Sequence, residues 1–401
     1  MKECFCYHGP YSPTVMPDKM GKGILLHSFW KNTLKNLLAV GIGFLVVLMM
    51  LAVGEGYLCW RSRERAVPAQ AFSDHEKVTK NNQSDFTKLD DQMGHVLIPG
   101  FSGRHRLYGE GTEIFSAEYC FDGQGYRITP VDDAHGRDTA ALFFGCSFAF
   151  GYGVHQHESL PAQFSKLCPA VFPYNFAVPG YGPQHLWLQL HELGVMKDIS
   201  QSQGVVLYGF IDEHINRLVG EETLVKRWGW WLPRLKITEE SIMPQGLMGN
   251  PDDLRPQWQN ILSGFHVGRF ILNRVSLLPS KQDDLKQNFR VLAMLLAHVK
   301  RLLMEEHPGF ELIVFAYPGS KLAPHMAEDL KTIDIPFLDY SEIYNEKQDD
   351  LDLLFYRDMP GGVTGHPKAP AYADLAARLA DDLAAWCNVG TLEKDKEDPE
   401  K

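Results

Sequence analysis

"AALFFGCSFAFGYGV", residues 140–154, begins as a strand and breaks into a glycine-spaced turn. Residues 140–145 are apolar at every position. That pattern suits a strand buried on both faces, as in a parallel sheet covered by helices. Ser147 stands where strand gives way to turn. A serine there either caps a local N–H in a tight corner or is presented as a nucleophile at the rim of a sheet. What the chain brings to that rim decides between the two.

Further along, strands and helices alternate. A helix is expected over 158–167, a second strand over 170–178 and helix again over 183–193. "GVVLYGF" (204–210) reads as a third strand, "ELIVFAYPG" (311–319) as a fourth and "DIPFLDY" (334–340) as a fifth. Between the third and fourth runs a long helix over 283–306, with Leu285, Phe289, Leu292, Leu296, Val299 and Leu303 on one face. Residues 368–386 close the series, with Ala371, Leu375, Leu379 and Leu383 at helical spacing. Alternation of this kind predicts an α/β fold: a flavodoxin-like three-layer α/β/α sandwich around a five-stranded parallel sheet.

In such a sheet the functional rim lies at the carboxyl ends of the strands. Ser147 follows the first strand. Asn175, Gly180 and Gln184 follow the second, in "NFAVPGYGPQ". Asp212, His214 and Asn216 follow the third, in "GFIDEHINR". Asp358 and His366 come after the fifth, in "YRDMPGGVTGHP". A serine, a glycine turn, a polar cluster and a histidine make up the inventory for nucleophilic acyl transfer. Serine attacks, histidine takes the proton, and N–H groups hold the oxyanion.

The order of these blocks resembles the SGNH (GDSL-type) hydrolase superfamily over about residues 138–388. Gly145-Cys146-Ser147-Phe148 matches the first block, Gly180 the second, Gly209-Phe210-Ile211-Asp212 part of the third, and His366-Pro367 the last. The resemblance implies Ser147 as nucleophile, His366 as base and Gly180 as an oxyanion donor. It also implies esters of small acyl groups on carbohydrates or lipids as substrates. The chain departs from the pattern at three places. Cys146 stands where the family has aspartate. Ile211 stands where it has its oxyanion asparagine, leaving Asp212, His214 or Asn216 as candidate polar groups. Val363 and Thr364 occupy the places of the catalytic acid, so Asp358 is the nearest carboxylate, unless the site runs as a dyad. A serine esterase is the favoured reading. An O-acyltransferase of the same fold, or a degenerate module that binds a glycan or lipid without turnover, is the alternative.

The amino-terminal part is of another kind. Residues 37–54, "LLAVGIGFLVVLMMLAVG", carry no charge and are flanked by Tyr57 and Trp60. Lys19, Lys22, Lys31 and Lys35 precede the run, and Arg61, Arg63 and Arg65 follow it. A single transmembrane helix over 36–58 is expected, with residues 1–35 cytoplasmic and the rest periplasmic or extracellular. A cleaved signal peptide is the rival, but about 35 residues precede the run and no small-residue cleavage site follows promptly. Residues 59–93 read as a polar linker, 94–137 as a small β-rich segment, 138–388 as the catalytic domain and 389–401 as a disordered tail.

The net charge of −11 disfavours nucleic acid as a partner. No cofactor pattern is present, and the seven cysteines fit no metal spacing. A Cys168–Cys387 disulfide is possible, though spacing alone does not fix it. His155 and His157 are two apart in a loop, which is poor metal spacing without a third ligand. Trp228, Trp230 and Trp231 read first as core or lid and second as a sugar platform.

Overall fold

Along the central strands, neighbouring side chains go to opposite sides of the sheet. Ala140, Leu142 and Phe144 join one buried cluster, while Ala141 and Phe143 join another. Val206, Tyr208 and Phe210 follow the first set, and Val205 and Leu207 the second. The period of two makes a strand buried on both faces read as one apolar run.

The computed structural model describes residues 35–36, 38–47, 49–54, 57, 86–109, 112–131, 137–249, 281–346, 350–357 and 365–387. The chain divides into two units, Met1–Ala66 with Gln257–Ser276, and Val67–Pro256 with Leu277–Lys401. In the first unit the described residues are helical, and Leu38, Val40, Phe44 and Met49 are exposed. Among the described residues no helix is long and apolar enough to cross a membrane. The expected spanning run lies only partly within them. The residues at 1–34, most of the expected linker and the tail at 389–401 lie outside them.

The second unit opens with two antiparallel hairpins. β1 (Thr87–Asp90) pairs with β2 (Gly94–Leu97), and β3 (Ser102–Gly109) with β4 (Thr112–Cys120). The first lies where a linker was expected, because "TKLD" shows no apolar run. The five-stranded sheet follows: β5 (Thr139–Phe144), β6 (Val171–Asn175), β7 (Gln203–Phe210), β10 (Phe310–Ala316) and β11 (Phe337–Asp339). All its pairings are parallel, in the order β11-β10-β7-β5-β6. Counted within the sheet this is 2-1-3-4-5, the flavodoxin-like order, with its switch point beside β5. The hairpin of β8 (Pro233–Ile237) and β9 (Ile242–Leu247) is an addition to the expected elements.

Ten α-helices lie among the described residues of this unit. They are α1 (Ser147–Phe150), α2 (Leu160–Leu167), α3 (Pro183–Trp187), α4 (Glu213–Val219), α5 (Glu222–Arg227), α6 (Lys281–Glu306), α7 (Ala323–Thr332), α8 (Leu351–Leu354), α9 (Ala369–Asp382) and α10 (Ala384–Cys387). α3, α6 and α7 cover one face of the sheet with Leu186, Phe289, Leu296 and Met326; α2 and α9 cover the other with Leu160, Phe164, Leu375 and Leu379. Each such side chain removed from water stabilises the fold by about 1.5–3 kcal/mol before entropy is charged. The expected helix at 183–193 divides after Trp187, where residues Leu188–Glu192 widen to a π turn.

The two hairpins share this core. Phe86, Tyr119 and Phe121 ring Phe150 at centroid distances of 6.0, 5.1 and 6.0 Å. On the opposite face Cys168, at the end of α2, is disulfide-bonded to Cys387 of α10, with Cα atoms 4.6 Å apart. The bond ties the closing helix back onto the first crossover.

Candidate active site

Two residues carry the chain out of β5. Gly145 adopts φ 142°, and a Cβ there would stand 3.1 Å from the Gly209 carbonyl oxygen. Only glycine turns there so close to β7 without strain. Cys146 then precedes α1, and Ser147 is its first residue. Cys146 is fully buried among the strands and is a packing residue.

The last block arrives from the other end of the chain. The Tyr356 N–H donates to the His366 carbonyl at 3.0 Å, and the Lys368 N–H to the Leu354 carbonyl at 2.8 Å. These bonds hold residues 366–368 against the end of α8, just before α9. They put His366 Nε2 2.7 Å from Ser147 Oγ, across 219 positions of sequence. That separation suits a serine hydroxyl donating to an unprotonated ring nitrogen. Both residues are 8% exposed. The site is largely desolvated, and charges developing in it are poorly screened. Asp358 lies outside the described residues.

Two aromatic rings flank His366. Phe148 lies 4.6 Å away and Tyr152 5.7 Å, measured between centroids. The Tyr152 hydroxyl in turn meets His105 Nε2 of β3 at 3.0 Å. Tyr152 belongs to the "FGYG" turn itself, so the nucleophile's own loop supplies one wall for the base.

The loop after β6 is laid alongside. The Phe176 N–H donates to the Phe143 carbonyl at 2.9 Å, and the Val178 N–H to the Gly145 carbonyl at 3.3 Å. Two residues beyond each end of the second bond come Ser147 and Gly180. Gly180 has φ 87°, and a Cβ on it would strike the Trp231 indole at 3.0 Å. The Ser147 N–H and the Gly180 N–H are each a backbone donor left without a partner among the described residues. Asn175 sits one layer below, accepting from the Ala177 N–H at 3.2 Å and donating to the Phe150 carbonyl at 3.3 Å.

The polar cluster after β7 is placed differently from the expectation. Asp212 is corrected from an oxyanion or substrate group to a loop anchor. Its carboxylate accepts from Ser320 Oγ at 2.6 Å, the Lys321 N–H at 3.0 Å and the Leu322 N–H at 3.1 Å. This holds the loop that precedes α7. His214 is fully buried under the rim, with Nδ1 2.7 Å from the Tyr208 hydroxyl. Burial, with Arg217 and His185 nearby, pushes its pKa well below the usual imidazole value. It is a buried, neutral histidine paired with Tyr208. Asn216 is half-buried, and its carbonyl caps α4 by accepting from the Gly220 N–H. Gln184 Nε2 donates to the Arg217 carbonyl at 3.1 Å. Ile211 offers no side-chain donor. Among the described residues no cluster of three His, Cys, Asp or Glu could hold a metal.

Sequence reading missed Tyr152, Phe148, His95 and the position of Trp231. Tyr152 and Phe148 had a signal, since they lie five positions and one position after the serine. His95 had none, because its partner is 84 positions away.

No family model and no curated protein matches the chain. Solved structures overlap it loosely. A G-D-S-L family lipolytic protein of Veillonella parvula is 11% identical, with 61% of this chain and 97% of that one covered at a TM-score of 0.34. An acetylxylan esterase of Geobacillus stearothermophilus is 13% identical, with 62% and 94% covered at 0.32. A carbohydrate esterase family 2 enzyme of Corynascus thermopiles is 9% identical, with 65% and 69% covered at 0.36. With overlaps this loose, the functional reading rests on the site's own geometry.

Proposed function

We propose that the chain is a serine esterase of the SGNH type. The observation that carries this is the 2.7 Å approach of Ser147 Oγ to His366 Nε2 in a nearly closed site. A buried serine that only caps a turn needs no imidazole brought to it from another element. Ser147 Oγ attacks the ester carbonyl while His366 Nε2 takes its proton. The N–H groups of Ser147 and Gly180 receive the oxyanion. The tetrahedral intermediate collapses, the alcohol leaves with the proton from His366, and an acyl group remains on Ser147. Water then gives a proton to His366 and attacks the acyl carbon. Collapse returns the proton to Ser147 and frees the acid.

The substrates proposed are small O-acyl esters on an envelope carbohydrate or lipid, and Asp358 is proposed as the acid that orients His366. The uncharged run at 37–54 supports a membrane anchor over 36–58, with the catalytic unit outside the cytoplasm. The Cys168–Cys387 disulfide supports the same side, because such bonds persist in oxidising compartments. Purified full-length protein and its Ser147→Ala variant, assayed on acetyl, butyryl and octanoyl esters, test the reading. Turnover of short-chain esters that vanishes with Ser147→Ala is expected; equal rates for the two proteins would refute it.

A further inference from the structure

The β1–β2 hairpin grips the loop that carries Gly180, largely through one residue. His95 Nε2 lies 2.8 Å from the Pro179 carbonyl oxygen. The backbone carbonyl of His95 accepts from the Tyr181 hydroxyl at 2.8 Å. The two bonds hold the neighbours of Gly180 on either side. The His95 ring also stands edge-on to Trp231, with centroids 4.2 Å apart, and Trp231 is the side chain packed against Gly180 itself. A further contact from the same hairpin braces the loop. His185 Nδ1 accepts from the Gly182 N–H at 3.0 Å, and its Nε2 reaches the Met93 carbonyl at 3.3 Å.

The tautomer of His95 follows from its partner. A carbonyl oxygen only accepts, so Nε2 carries the proton. Nδ1 is then a bare acceptor, buried and without a partner among the described residues. Burial lowers the pKa to about 4, so the ring is neutral near pH 7 with its proton on Nε2. The carbonyl it meets belongs to the same planar peptide as the Gly180 N–H. A hydrogen bond accepted at that oxygen draws electron density away from the nitrogen and makes the N–H a stronger donor. It also fixes the peptide plane, and hence where the N–H points.

We infer that His95 is a positioning residue of the oxyanion hole, orienting and polarising the Pro179–Gly180 peptide for the tetrahedral intermediate. This rests on Gly180 serving as an oxyanion donor in the ester hydrolysis proposed above. It gives the β1–β2 hairpin, which lies outside the parallel sheet, a part in the chemistry. It also strengthens one backbone donor in a site where Ile211 supplies none.

The test uses the full-length chain with three readouts. Histidine-selective 15N spectra at pH 7, assigned by the signal lost in His95→Gln, should show His95 neutral and protonated on Nε2. Hydrogen exchange of the 176–182 backbone should speed up in His95→Phe, which keeps the packing on Trp231 but has no donor. His95→Gln, which restores an N–H, should stay close to wild type. On an ester that the wild type turns over, His95→Phe should lower kcat roughly ten- to a hundredfold at similar KM, less than the ~10²–10³ for loss of a whole oxyanion donor. His95→Gln should recover most of it. A proton on Nδ1, or exchange at 176–182 equal in wild type and His95→Phe, would overturn the clamp even if no ester is turned over. An active wild type whose kcat is unchanged in a folded His95→Phe would overturn its catalytic role alone and leave the esterase reading standing.

Discussion

The Tyr152 hydroxyl meets His105 Nε2 at 3.0 Å, joining the nucleophile's own loop to the β3 strand of the second hairpin. Tyr152 thereby stays against the His366 ring. Tyr152→Phe should keep the wall but release it from β3. A lost neutral hydrogen bond is worth about 1 kcal/mol, so kcat should fall roughly fivefold. Tyr152→Ala opens the wall and should cost more than tenfold, since misplacement of a base is expensive. Steady-state kinetics of both variants, with thermal melts as a control for folding, check this.

Asp212 accepts three hydrogen bonds from residues 320–322. Asp212→Ala should therefore destabilise the fold by about 1–3 kcal/mol, read as a lower denaturant midpoint. Activity of the folded fraction should stay within about threefold, as expected of a group that anchors a loop and does not meet substrate. A large loss of kcat at unchanged stability would restore the role that its place after β7 suggested.

His95, His185 and His214 all have pKa values lowered by burial. In the unfolded chain they bind a proton near pH 6.5, whereas in the folded chain they resist it. The unfolded state thus binds more protons below pH 6.5, and stability must fall as pH falls through that value. For His95 the loss ends near pH 4, its folded value. A shift of that size represents about 3 kcal/mol, and partial exposure of the residue reduces this to roughly 2 kcal/mol. Urea unfolding at pH 7.5, 6 and 5 should show the decline, and His95→Gln should lessen it.

The disulfide closes a loop of 219 residues between the first crossover helix and the last. Its removal in Cys168→Ser/Cys387→Ser should cost about 2–5 kcal/mol and lower Tm by several degrees. The hydrogen bond between Ser147 and His366 does not depend on it, so short-chain ester turnover at 20 °C should survive. Melts of wild type with and without reductant provide the same comparison.

How much of this was legible depended on whether a residue's neighbour lay along the strand or across the fold. The five parallel strands showed themselves because residues such as 140–144 and 205–210 are apolar on both faces. Ser147, Gly180 and His366 were readable as a set because a parallel sheet sends every carboxyl end to one rim. β1 hid in a polar stretch, since only Thr87 of its four residues is buried. The β8–β9 hairpin hid because only its first strand, "PRLKI", alternates, over five residues, while its partner "IMPQGL" does not. Asp212 was misplaced for a physical reason: a carboxylate at the right rim was captured by three donors of the neighbouring loop. The hold of His95 on Pro179 is a contact between distant segments, and no local pattern encodes it.

The central claim is that His366 activates Ser147. Intact-mass measurement of the folded full-length chain treated with a fluorophosphonate tests it most directly. One adduct, mapped to Ser147, should form in the wild type, vanish in Ser147→Ala and form at least about a hundredfold more slowly in His366→Ala. No adduct on the folded wild type, or an equal rate in His366→Ala, would contradict the account.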